Sequence, residues 1–276
     1  MLDVCAAIFR ALLYGGVLSC VGVVFAARTL SLPELSDAVT QILRRSAWLV
    51  ITASLAGALI LLLRLGGQFD EPTLSAVLNS GFGAATAMQL AGAGLLLASL
   101  NDPTSQSIRL ANATLISLSF AASGHVAAAD LADGLIVFIH VSAAAWWVGS
   151  LWLLRFACGH SDFTVVANAV RRFTVLAVIV VGVMVFAGIL LIRALLNFQD
   201  LPQLFPYEQT LLIKIGIVAA VLGLAAYNKL RLTPQLLNGH APALTSLRKS
   251  INLELALIGA VIAVTAILTT YTAPPE

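Results

Sequence analysis

Histidine is scarce in this chain, with four in 276 residues. Two of them, His125 and His140, fall in GHVAAADLADGLIVFIHVSAAAWWVGS, residues 124–150. His140 stands several residues inside an apolar run and His125 just before it. A neutral imidazole ligates copper, zinc, iron and nickel alike. Ionisable side chains placed within a bilayer are costly and usually face the bundle interior, where they serve function. Four such residues stand out here: Arg10, His140, Lys214 and Glu254. His140 follows Asp133 by seven residues, about 10 Å along a helix, and Lys214 follows Tyr207 by the same interval. Arg10, His140 and Lys214 are therefore expected in one half of the bundle and Glu254 in the other. His140 is read as a metal or haem ligand or a proton-linked group; the plainer alternative is an imidazole hydrogen-bonded to a neighbouring helix.

Further residues group around this pair. Gly124 can adopt a left-handed turn at a helix end and hold His125 at the mouth of the bundle, above His140. Met88, inside GFGAATAMQLAGAG, offers a soft thioether suited to Cu(I), or simply fills space. Trp146 and Trp147 lie too deep to be interfacial belt residues, so they either wall a cavity or pack. Ser142, Ala145 and Gly149 recur at a spacing that lets helices approach closely. Lys214 needs a carboxylate near the outer mouth, with Glu208, Asp130 and Asp133 as candidates and Arg10 as a competitor, unless it snorkels to the headgroups.

The elements that must position these residues follow from composition. Hydrophobic residues make up 60% of the chain and charged residues 10%, against roughly 25% charged in a soluble domain. With a mean hydropathy of +0.98, the solvent for most of this surface must be lipid. About twenty apolar residues cross a bilayer as a helix. Eight segments qualify: about 4–27, 46–65, 74–99, 106–124, 131–156, 171–196, 207–230 and 247–271. Clusters such as SLPELSD, LGGQFDEP, LNDPTSQS, LNFQDLPQLFP and RLTPQLLNGHAP separate them. The expected fold is all-α, an eight-helix polytopic membrane bundle forming a single domain over 1–276. Asp3 ahead of the first apolar run, with no basic leader, favours a retained first span over a signal peptide.

Orientation follows from Lys and Arg. The odd-numbered loops hold Arg28, Arg44, Arg45, Arg109, Arg155, Arg171, Arg172, Lys229, Arg231, Arg248 and Lys249; the even-numbered loops hold Arg64 and Arg193. Eleven against two places the odd loops in the cytoplasm and both termini outside. The outer face is then acidic, a potential that would concentrate cations. A net charge of +2 gives no reason to expect nucleic acid as a partner. Cys5 and Cys20, about 22 Å apart on one helix, and the lone Cys158 provide neither a disulfide framework nor a metal motif. No phosphate-binding glycine loop or nucleophile motif suggests an enzyme or an ATP-driven pump.

The motifs in series carry a resemblance. SFAASGHVAAAD, FIHVSAAAWWVGSLWLL, RRFTVLAVIVVGVMVFAGILLIRALL, YEQTLLIKIGIVAAVLGLAAYNKLRLTP and LRKSINLELALIGAVIAV follow one another as in the copper resistance protein D (CopD) family of bacterial inner-membrane proteins. The chain resembles that family over nearly its whole length. The resemblance implies copper movement across the inner membrane, copper received from a separate periplasmic CopC-like donor, and His125 and His140 as copper-handling residues beside Trp146 and Gly149. Gly149-Ser150 stands where the family usually has a glycine pair. A second expectation comes from a related group, the HemJ-type protoporphyrinogen oxidases: a membrane protein binding haem b through the same histidine.

Overall fold

A computed structural model of the chain describes residues 1–32, 35–67, 69–102, 106–123, 131–195 and 206–271. All regular structure in these residues is helical. A backbone surrounded by lipid must satisfy its N–H and C=O groups internally, and a helix does so within one segment. The long helices are α1 (Leu2–Leu30), α2 (Ser36–Arg64), α4 (Gly81–Ala98), α6 (Leu131–His160), α7 (Phe163–Leu195), α8 (Pro206–Tyr227) and α10 (Pro242–Tyr271). Shorter ones are α3 (Glu71–Leu78), α5 (Gln106–Leu118) and α9 (Thr233–Leu237). The protein is a multi-pass membrane protein: among the described residues, seven helices are long and apolar enough to cross a bilayer. Large apolar side chains are exposed along α7, including Val175 at 64%, Ile179 at 63% and Phe186 at 64%, which water would not tolerate as a continuous surface.

Three segments differ from the sequence expectation. The span expected at 74–99 is broken at Asn79–Ser80. Asp70 caps α3, accepting from Thr73 N at 3.1 Å, and Ser80 caps α4, accepting from Gly83 N at 3.2 Å. Two N-caps ten residues apart start two helices, and hydropathy does not register that change. The Thr73 hydroxyl and backbone N–H hold the Asp70 carboxyl below the usual carboxylate range. Secondly, α5 has only thirteen residues before the turns at 119–122, about 20 Å of helix against a hydrocarbon core of about 30 Å. Thirdly, RLTPQLLNGHAP does not end the helix at its start. A π-helical segment, Asn228–Leu232, carries α8 into α9, with Pro234 in the first turn of α9. Proline lacks an N–H, and its ring crowds the carbonyl four residues earlier. The wider π turn makes room for it.

Contacts at the helix ends fix the directions. Arg64 Nη2 pairs with Asp3 Oδ1 at 2.6 Å, and Arg10 Nη1 donates to the Thr269 carbonyl. The start of α1, the end of α2 and the end of α10 therefore share one end of the bundle, the head. At the opposite end, the foot, Arg28 Nη1 donates to Gln106 Oε1 at 2.6 Å and Arg155 Nε to Asn252 Oδ1 at 2.7 Å. Tyr14 packs on Phe120 toward the head, so α5 runs from foot to head. Ser117 and Ser142 share a hydrogen bond at 2.8 Å, and α6 returns toward the foot.

The apolar core is centred on α1 and α6, with Val17, Val21, Leu151 and Leu154 almost fully buried. At the crossing of these two helices the backbones touch. A Cβ on Gly22 would lie 1.9 Å from the Ala145 carbonyl oxygen, and one on Gly149 would lie 1.9 Å from the Gly22 carbonyl carbon. The small-residue face expected at Ser142, Ala145 and Gly149 is thus in use: two of the three meet α1, and the third binds α5.

Candidate functional site

His140 lies half-buried where α6 meets α7, with its Nδ1 2.9 Å from the Met184 carbonyl oxygen. A carbonyl only accepts, so Nδ1 carries the proton of this bond. The neutral ring then leaves Nε2 as its lone-pair nitrogen. A metal-binding imidazole is commonly oriented in this way, with one nitrogen tied to a carbonyl or carboxylate and the other free to ligate. Gly188, one turn beyond Met184, makes the approach possible. A Cβ there would stand 3.2 Å from His140 Cε1. Lys214 on α8 is close enough to His140 to act on it electrostatically. His140 and Lys214, expected in the same half, are thus within electrostatic range of one another.

The remaining expected residues divide. Trp146 is 6% exposed, stacks on Phe173 with ring centroids 5.8 Å apart, and donates from Nε1 to Thr29 Oγ1 at 3.0 Å. It ties α6 to α1 and α7, which is packing rather than the wall of an open cavity. Trp147 is 4% exposed and faces α10. Met88 is half-buried on α4, a helix packed mainly on α2 and α5, away from the α6–α7 seam that holds His140. Arg10 does not compete for carboxylates: it bonds the Thr269 carbonyl and approaches Thr270 Oγ1 at 3.5 Å. A cation there suits the negative end of α10. The carboxylate expected for Lys214 is not found among the described residues, where the ion pair present is Arg64–Asp3. Asp133 lies in the first turn of α6. His125 and Asp130 fall outside the described residues, and so does the proposed vertical relation of His125 to His140. Among the described residues, no three of His, Cys, Asp and Glu converge on one point.

Sequence reasoning missed what three residues do: Gln89 and Gly188 drew no notice, and Asn228, which matches a later motif of the family the chain resembles, had no role assigned. Gln89 on α4 accepts from Ser54 Oγ at 2.9 Å and donates to Ser119 Oγ at 3.1 Å, linking α2, α4 and α5. It was visible as an amide in an apolar run, next to the methionine that drew the attention. Asn228 Nδ2 donates to Glu254 Oε1. Glu254 was recognised as an intramembrane carboxylate, but its partner sits 26 positions earlier on another helix, and the sequence carries no signal for that pairing. Gly188 is one of twenty glycines, and only the fold distinguishes it.

Two family models match the chain in succession. The first, described as copper resistance protein D-like, N-terminal domain, matches residues 1–136. The second, copper resistance protein D, matches residues 167–268. The chain belongs to the copper resistance protein D family. A curated relative, the copper transport protein CutJ of Bacillus subtilis (strain 168), is 30% identical over 167 residues. That match takes in 58% of this chain and 29% of the relative, so the chain spans under a third of CutJ. No solved structure matches. Of the residues considered above, Lys214, Asn228 and Glu254 fall within the C-terminal match; His140 lies between the two matches, four residues past the end of the first.

Proposed function

We propose that this CopD-family protein carries copper across the bacterial inner membrane, from the periplasm at the head of the bundle toward the cytoplasm at the foot. The observation that carries the reading is the orientation of His140. Its Nδ1 is held by the Met184 carbonyl, which leaves Nε2 as the ligating nitrogen, inside a chain whose two halves match copper resistance models. Copper is cargo here. One imidazole makes a transient station, where a dedicated storage site would gather several soft ligands. His125 would take copper at the mouth from a CopC-like periplasmic donor, and His140 would receive it below. Met88, on a different seam, has no part in this route. Lys214 would keep the His140 station weak, because a neighbouring ammonium raises the free energy of any second cation. A permease of this kind catalyses no reaction and needs an external driving force.

The eight-crossing count belongs to the same proposal. Arg10 on the Thr269 carbonyl brings the start of α1 and the end of α10 to one side. Seven crossings would put them on opposite sides, so α5 with its following turns serves as the eighth. The competing reading, haem b on His140 in a redox protein, would use the same free Nε2; the copper names of the matching families favour cargo over cofactor. Purified full-length protein decides between them. Bound copper that falls on His140→Ala, without a Soret band, supports the permease. A Soret band lost in the same variant would establish haem instead.

A further inference from the structure

The most buried carboxylate described lies away from His140. Glu254 on α10 is 2% exposed, and Asn228 Nδ2 donates to its Oε1. Asn228 is 8% exposed and belongs to the π-helical segment, a feature found often at functional positions. Its Oδ1 has no hydrogen-bond partner. The indole of Trp147, on α6, lies beside Glu254, yet its Nε1 falls short of hydrogen-bonding geometry and has no other partner.

On α8, half-buried Glu208 and Lys214 stand twenty and fourteen residues before Asn228, about 30 and 21 Å toward the head; the charged groups nearer Glu254 are engaged or exposed. On α6, Arg155 bonds Asn252. On α10, Arg248 lies against Gly159 and Lys249 is exposed. On the π segment, Lys229 and Arg231 are exposed. On α1, Arg28 bonds Gln106 and Arg10 bonds Thr269. The groups that face the carboxyl are Asn228 and Trp147.

The orphaned atoms complement the two forms of a carboxyl group. Ionised, Glu254 can only accept, which suits the unused Trp147 N–H but leaves Asn228 Oδ1 unmatched. Protonated, its O–H can donate to Asn228 Oδ1 while its carbonyl accepts from Asn228 Nδ2, closing an acid–amide pair. Turning the amide over leads to the same need: Oδ1 would then face Oε1, and a proton must lie between them. Further orphans continue toward the foot. Ser150 is one turn footward of Trp147 on α6, and Ser250 one turn footward of Glu254 on α10; both hydroxyls are buried without partners.

We propose that Glu254 is a proton-binding site of the bundle, with Asn228 as partner of the acid and Trp147 as partner of the carboxylate, exchanging its proton with water at the foot. Binding is simple addition of a proton to the carboxylate, and release returns it to water. Resting on the transport reading above, the proton is exchanged during copper passage. This site is chemically distinct from His140, which stands on α6 seven residues, about 10 Å, headward of Trp147.

The test uses the full chain in lipid vesicles. Infrared difference spectra between acid and alkaline conditions should contain a protonated-carboxyl C=O band that is lost in Glu254→Gln and shifted in Asn228→Leu. Glu254→Gln retains the neutral amide pairing with Asn228, so the variant should fold; Glu254→Asp, which still titrates, should restore a band. Copper uptake by wild-type vesicles should respond to an imposed pH difference, and Glu254→Gln should lose that response. A band unchanged in Glu254→Gln, or one that follows sodium rather than pH, overturns the site. Retained pH response in the variant overturns the exchange. The copper reading fails independently: His140→Ala should abolish copper binding and leave the infrared band intact.

Discussion

Gly188 controls how the imidazole of His140 is held. Its missing side chain lets the ring lie against α7 and reach the Met184 carbonyl, and an added Cβ would stand 3.2 Å from Cε1. Alanine asks for a shift of a few tenths of an ångström. Valine adds two further methyl groups and should push the ring off the carbonyl. Gly188→Val is therefore expected to reduce bound copper to the level of His140→Ala while the protein still inserts in membranes; metal analysis at matched expression checks this. Lys214 gives a second expectation. Lys214→Met removes the ammonium that acts on His140, so copper should bind about tenfold tighter, an effect of about 1.4 kcal/mol, and should be released more slowly. Unchanged affinity and transport would mean that Lys214 only snorkels to the headgroups. His140 was legible in the sequence because a histidine inside an apolar run has few roles. Its carbonyl partner was not, because the rotational phase of α7 against α6 is set by packing and has no sequence signature of its own.

At the scale of helices, the crossing of α1 and α6 is the tightest constraint in the molecule. Lipid offers little hydrophobic drive for helices to associate, so close backbone packing has to hold them together. Gly22 and Gly149 meet with no room for a Cβ on either side. Gly149→Ala should force the helices apart and separate Trp146 from Thr29, whose bond spans the same interface. A loss of about 1–3 kcal/mol is typical of such overpacking. Thermal unfolding in detergent should show a lower midpoint than for Gly94→Ala, a control with open space around it. Half of this contact was readable: the spacing of Ser142, Ala145 and Gly149 marks α6 as a close-packing helix. The other half was hidden, because Gly22 is one of three glycines in a long apolar run, and nothing in the sequence sets it apart from Gly15 and Gly16. The break between α3 and α4 was missed for a related reason. A hydropathy window averages over Ser80, while one cap hydrogen bond to Gly83 N is enough to start a new helix.

For the whole molecule, the number of crossings and the side of each end are one question. Among the described residues, seven helices pass on length and composition, and α5 does not. Yet α5 runs opposite to both neighbours: Gln106 meets Arg28 at the foot, and Phe120 meets Tyr14 toward the head. A short helix can complete a crossing when turn residues and protein neighbours, rather than lipid, surround its end. Ser119 supports this, being fully buried, with its hydroxyl donating to the Ile116 carbonyl and accepting from Gln89. Charge then chooses the side. Arg28, Arg109, Arg155, Arg171, Arg172, Arg248 and Lys249 lie toward the foot, whereas the head holds Arg64, paired with Asp3, Arg10, bonded to the Thr269 carbonyl, and Arg193 in the last turn of α7. Under the proposed topology, the positive-inside rule puts the foot in the cytoplasm. A reporter that is active only in the cytoplasm should therefore be silent when fused after Glu276 and active when fused after Ser161. Activity of the same reporter fused before Met1, with silence after Glu276, would mean that α5 fails to cross, because an odd number of crossings would then separate the two chain ends. It would also place Arg10 and Thr269 on opposite sides of the membrane, against the hydrogen bond that joins them.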